Sequence, residues 1–170
     1  MDKKPEAWLR GPIGGVPAIL QPVAHALMQA SEEINTIIKD FPQSKMWEKP
    51  AGAASVAFHL QHIPGVLDRL FSYSRGLPIS NTQLKYLSEE GLQEASVTME
   101  KLLENLANKV NESIEYLKTV DPDSVTEIRT VGRNKLPSTV IGLLFHAAEH
   151  TMRHTGQLLV TAKILMFTEE

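Results

Sequence analysis

The sequence predicts an all-α fold, a bundle of four helices joined by long connections, with a short hairpin or an ordered loop before the last helix. Three observations carry this. Four long segments repeat apolar residues every three or four positions, the spacing of a helical stripe. No stretch alternates strongly enough to read as a sheet. Prolines and glycines fall between the periodic segments, where helices stop and chains turn. At 170 residues the whole span, 1–170, reads as one domain with enough chain for a sizeable core.

Residues 1–16 are rich in Gly and Pro and are expected to lie over the surface. From Pro17 to Asp40 the apolar positions Leu20, Val23, Leu27, Ile34, Ile37 and Ile38 form a first stripe. Pro22 lacks an N–H, so regular helix is expected to begin close to it. The segment FPQSKMWEKPAGA connects to a second helix, capped by Ser55 and ended by Arg75-Gly76. Pro64 lies inside that helix and is expected to bend it.

Residues 77–87 read as a linker. Ser88 is then expected to open the longest helix, through Leu92, Ala95, Met99, Leu102, Leu106, Val110, Ile114 and Leu117. That run of roughly 30 residues would be ~45 Å long. Asp121-Pro122-Asp123 stops it. VTEIRTVGRNKLP carries the weak alternation and a Gly turn. Ser138 is expected to cap the last helix, which runs to about Met166 with Val140, Leu143, Leu144, Ala147, Leu158 and Leu165 inward. The connections are long enough to cross the bundle ends, so strict up-down-up-down order does not follow.

Composition narrows the function classes. A net charge of −3 and scattered Lys and Arg give no footprint for nucleic acid. Without cysteine there are no disulfides, no cysteine nucleophile and no thiolate ligands. That agrees with a reducing cytoplasm, which is the expected location. The N-terminal MDKKPEAWLRGP has no apolar stretch of leader length, and no run approaches the ~18 apolar residues of a membrane span.

The histidines carry the chemistry. Of six, His59 and His62 fall in FHLQHIPGV, and His146, His150 and His154 in FHAAEHTMRHTGQL. Spacings of three and four place imidazoles one helical turn apart, where two can share a metal. On a wheel of the last helix, His154 falls within about 40° of the core centre, His150 about 80° away and His146 about 120° away. On the second helix His59 lies about 40° from the centre and His62 about 100° away. Periodicity thus favours His59 slightly over His62 as an inward group, without choosing the ligand. Three neutral imidazoles from facing helices leave coordination positions open, the plan of a catalytic site. A divalent ion held there would make a nucleophile of a water or a substrate thiol at neutral pH. Gln157, one turn past His154, can orient a ligand or a water.

Other readings are weaker. His146-Ala-Ala-Glu149-His150 fits the inverted zinc-protease pattern H-x-x-E-H. The wheel turns Glu149 about 180° from the core centre, which reads it as a solvated residue. His25 reads as a flank or core histidine. Asp68, Arg69, Tyr73 and Arg153 read as pocket residues or, more simply, as surface ion pairs.

The runs SVAFHLQHIPGVLDRL and LLFHAAEHTMRHTGQLL resemble the DinB-like superfamily of metal-dependent helical proteins, not the polymerase that shares the name. The specific signal is H-x-x-x-H-x-G-Q on the last helix, with a histidine on helix two. The resemblance implies a four-helix bundle, commonly a homodimer, with a metal triad of one helix-two histidine and two from the last helix. The family's helix-two histidine precedes an aliphatic residue, seven positions after a Ser/Thr-aliphatic start. Ser55-Val56 is that start here and selects His62; the last-helix pair falls on His150 and His154, with His59 and His146 outside the triad. Thr155 stands where many members carry arginine, so substrate contacts from that position do not transfer. The resemblance further implies a divalent metal, zinc or nickel first and manganese or iron next. It implies a small-molecule substrate, a low-molecular-weight thiol among them, and a transferase or hydrolase reaction. The alternatives are a metal-binding or stress-associated bundle without catalysis, and a purely structural bundle.

Overall fold

The computed structural model describes residues 4–167, so 1–3 and 168–170 of the expected single domain lie outside the described residues. The described chain is mostly helical. Its α-helices are α1 (Gln21–Ile38), α2 (Val56–Ser74), α3 (Asn81–Glu89), α4 (Met99–Leu117) and α5 (Val140–Phe167). Strands β1 (Ile128–Val131) and β2 (Leu136–Thr139) pair antiparallel immediately before α5, with Ile128 opposite Thr139. Of the short hairpin or ordered loop expected there, the hairpin is present. Its turn uses Gly132 at φ +69°, a conformation without steric penalty for glycine.

α1 starts where Pro22 allows it, and its buried residues Val23, Leu27, Ala30, Ile34 and Ile38 keep the three-or-four spacing. Ser55 caps α2 by accepting from the Phe58 N–H at 3.1 Å, and Gly76 at φ +74° follows the last turn. The helix continues through Pro64 without a break. α1 packs on α4 and α5, α2 packs on the same two, and α3 lies on α2. Between them Leu27, Ile34, Leu60, Ile63, Leu67, Leu106, Leu117, Leu144 and Leu158 are fully buried. Burial of each such side chain contributes about 1.5–3 kcal/mol. Leu144 and Leu158 pin the rotation of α5 at both ends of the segment that carries His150 and His154.

Three expectations are corrected. The expected linker 77–87 holds most of a helix, α3, and the helix expected from Ser88 begins only at Met99 as α4. Ser80 and Gln83 form a capping box that starts α3, so Ser88 lies inside α3 and not at a helix start. Glu90 then leaves helical geometry and Gly91 takes φ +83°. Leu92 and Ala95 lie in the connection, Leu92 half exposed. Thr98 accepts from the Lys101 N–H and caps α4. The cap of α5 is Thr139, whose Oγ1 accepts from Gly142 N–H at 3.0 Å; Ser138 is occupied in β2, opposite Arg129. The described part of the N-terminal segment lies over the surface as expected, mostly exposed, and is anchored there. Ala7 and Val16 are buried, Ala7 N–H donates to Gln29, and Arg10 grips Glu32 with two bonds of 2.6 and 2.7 Å. Among the described residues, no helix is long and apolar enough to cross a membrane.

Candidate metal centre

The candidate site lies where α2 faces α5. One ligand nitrogen from each of His62, His150 and His154 comes within 4.8 Å of the others, and all three residues are half-buried. The Nε2 atoms of His62 and His150 are 3.1 Å apart. The rings of His62 and His154 are separated by 4.4 Å, and those of His150 and His154 by 4.6 Å. The i, i+4 spacing on α5 stacks its two imidazoles one turn apart. α2 supplies the third across the seam.

The proton on His62 is fixed by its neighbours. Glu90, just past the end of α3, approaches His62 Nδ1 with Oε2 at 2.6 Å and Arg69 with Oε1 at 2.7 Å. Its side chain is only 4% exposed. A carboxylate paired with arginine can only accept, so His62 Nδ1 carries the hydrogen and Nε2 turns its lone pair toward His150. His154 is engaged from behind, with Nδ1 3.0 Å from His59 Nδ1. That leaves His154 Nε2 for the centre. Phe58 stacks nearly parallel on His62, with centroids 5.1 Å apart.

Burial and mutual repulsion keep His59, His150 and His154 uncharged. His154 is pushed down to about 3 by burial first, then by the imidazoles of His62, His150 and His59 and by Arg153. His59 falls to about 4 through burial and His62. His150 is lowered by burial, then by His62, His146 and Arg153. His150 and His154 are therefore neutral at pH 7 and present lone pairs, the form a metal takes.

The residues fit a metal on three counts. Nitrogen ligands about 2.1 Å from one tetrahedral ion stand roughly 3.4 Å apart, within a few tenths of the His62–His150 distance. The second nitrogen of His62 is already bonded to a carboxylate, the usual arrangement around a ligating histidine. His150 Nδ1 is buried with no hydrogen-bond partner, which leaves this ring no polar anchor besides the centre itself.

His146 is outside this arrangement. Its Nδ1 meets Glu149 at 2.6 Å, and Glu149 also binds Arg153 at 2.7 Å. Burial raises the Glu149 pKa, but the bonds and charges of His146 and Arg153 together outweigh it and leave it lowered. His146, Glu149 and His150 form a second group of ligand atoms within 4.8 Å, more exposed than the first. Glu149 is half-buried rather than fully solvated, and it is spent on ion pairs along α5. His25 bonds the Gly11 carbonyl at 3.0 Å. Asp68 pairs with Lys109, away from the histidines, whereas Arg69 is buried against Glu90 and supports the site. Glu90 is the residue that sequence reasoning misses. Its signal is Gly65, where a Cβ would overlap Glu90 Oε1 and stand 2.7 Å from Tyr86 Cε1.

No curated protein matches the chain. The family model described as the DinB superfamily matches residues 4–158, a span that includes His62, His150, His154 and every helix through most of α5. With that span matched and the histidines gathered at one seam, the chain belongs to the DinB superfamily.

Proposed function

We propose that this protein is a metal-dependent enzyme built on a four-helix bundle, in which His62, His150 and His154 hold one divalent metal ion. Zinc or nickel suits three imidazoles best, with manganese or iron as further choices. The substrate is a small electrophile, and the nucleophile is a low-molecular-weight thiol or water. When bound, the ion supplies Lewis acidity that lowers the pKa of that nucleophile. The protein's own part is positional. Glu90 holds the His62 proton on Nδ1, His59 braces His154, and Phe58 shields one face of His62 from solvent. The half-burial of the triad leaves a side from which a small molecule can reach it. A homodimer in the cytoplasm completes the reading.

The observation that carries it is the 3.1 Å approach of His62 Nε2 and His150 Nε2, with the His62 proton directed away to Glu90. The test is the metal content of tag-free protein beside its His150→Ala variant. About one divalent ion per chain, lost in the variant, supports the site and opens a screen of thiol-transfer and hydrolytic substrates. Wild-type protein that takes up none of zinc, nickel, manganese or iron overturns it. A second reading, metal binding without turnover, is favoured by the cover that Phe58 and His59 place over the α2 side. Metal bound with no exchangeable water would select it.

A further inference from the structure

We propose that Glu90 is a positioning residue that couples the seating of an arm, residues 80–91, to metal occupancy at His62. This rests on the reading of His62 as a metal ligand and goes beyond it to the site's regulation. The arm consists of α3 and its flanks. None of the α3 residues is buried, and Leu84 and Leu87 are more than two-fifths exposed. Its attachment is mostly polar. Gln83 donates to Asp68 at 2.7 Å and to Ser72 at 2.8 Å, Tyr86 donates to the Gln61 carbonyl at 2.9 Å, and Gly91 N–H donates to the Gln61 side chain at 2.7 Å. A segment held this way, with few buried apolar contacts, belongs to the least stable part of a fold.

Glu90 is the exception within the arm. It is the arm's buried charge, shared between Arg69 and His62. Gly65 on α2 leaves the space it fills, because any larger residue there would strike Glu90, Tyr86 and Arg69. The carboxylate is stabilised by positive character on both sides. Arg69 supplies this permanently; His62 supplies it only through its Nδ1–H. An ion on Nε2 withdraws electron density from the ring and makes Nδ1–H a stronger donor. The bond to Glu90 is then tighter in the loaded protein than in the empty one. By reciprocity, the seated arm strengthens metal binding by the same factor by which the bound metal strengthens the arm's seating. The arm therefore closes over α2 when the ion is held and loosens when it leaves.

The experiment is hydrogen exchange on the full chain, metal-free and with zinc alone, for wild type, Glu90→Gln and His150→Ala. In wild type, zinc slows exchange of the 81–91 amides about tenfold or more. In Glu90→Gln the zinc Kd rises roughly 10–100-fold and the zinc-dependent slowing disappears. In His150→Ala the arm no longer responds to zinc. A purely structural Glu90 would lower the unfolding midpoint and leave the zinc Kd unchanged, which overturns the proposal. Zinc bound tightly by wild type with arm exchange unaltered also overturns it, and this arm of the test needs no variant to fold. If wild type binds no zinc, the metal-site reading itself fails and the coupling falls with it; if zinc binds without the coupling, only the coupling fails.

Discussion

His59 and His154 meet through their Nδ1 atoms, 3.0 Å apart, although they lie on different helices and 95 residues apart in sequence. One ring donates and the other accepts, and His59 is only 2% exposed. The bond fixes the rotation of His154 about its own axis, which decides whether Nε2 faces His62. His59→Leu keeps an apolar group in the space but removes the partner. Zinc affinity is expected to fall about 10–100-fold with the fold retained, as for other residues that orient ligating histidines. A competition titration against a zinc chelator measures this, and an unchanged Kd would reduce His59 to packing.

Gly65 sets two effects of opposite sign against each other. In an open helix, Gly→Ala gains about 1 kcal/mol from backbone entropy. Here the new Cβ would overlap Glu90 Oε1 and crowd Tyr86 and Arg69, and Glu90 is also held by both partners. Overpacking of this kind costs typically about 1–3 kcal/mol, so the clash wins. Gly65→Ala should be destabilised in urea unfolding and should also lose zinc affinity. A stabilised variant would mean that Glu90 moves aside freely.

The helices that bury a full stripe were legible in the sequence. α1, α2 and α5 announce themselves by spacing and by Pro22, Ser55 and Gly76, and the histidine-bearing segments fall inside them. α3 was not legible because it buries nothing, so its only signals are the Ser80–Gln83 capping box and Gly91. Leu92 and Ala95 happen to continue the α4 register backwards, and periodicity alone cannot see that the chain turns between them and Met99. The helical wheel ranked burial correctly, since His59 is more buried than His62. Burial alone does not choose among the histidines, however: the nitrogens that come within 4.8 Å of one another are those of the half-buried His62, His150 and His154. The family resemblance selected His62, the histidine whose Nε2 faces His150. Gly65 inside α2 signals a close approach there, but it does not name Glu90, whose contact with His62 spans 28 residues and depends on where α3 folds back.

The phase of α5 is held by apolar residues on either side of its histidines, and the cost of loosening it can be compared on one helix. Leu158 is fully buried, whereas Val160, two residues on, is 59% exposed. Leu158→Ala should cost about 2–5 kcal/mol by lost burial and a residual cavity. Val160→Ala should stay within about 0.5 kcal/mol of wild type. Urea denaturation of the two variants tests this. Equal losses would show that the outer face of α5 is covered in solution.

The N-terminal segment gives a pH dependence independent of the histidines. Arg10 and Lys4 both bond Glu32 on α1, and the Arg10 bonds chiefly hold its carboxyl down to about 2, against the opposing effect of burial. In the unfolded chain the same group titrates near 4.5. The native state thus favours the ionised form, and the contribution is whole above pH 4.5. As pH falls from 4.5 toward 2, the unfolded chain takes up the proton first and the contribution is lost. Glu32 is 35% exposed, so solvent screening keeps the effect to at most about 1 kcal/mol. Glu32→Gln should be slightly less stable than wild type at pH 7, and the gap should close progressively below pH 4.5. Unfolding midpoints of both proteins from pH 7 to pH 3 decide the matter; a gap constant across that range would assign the loss to packing rather than charge.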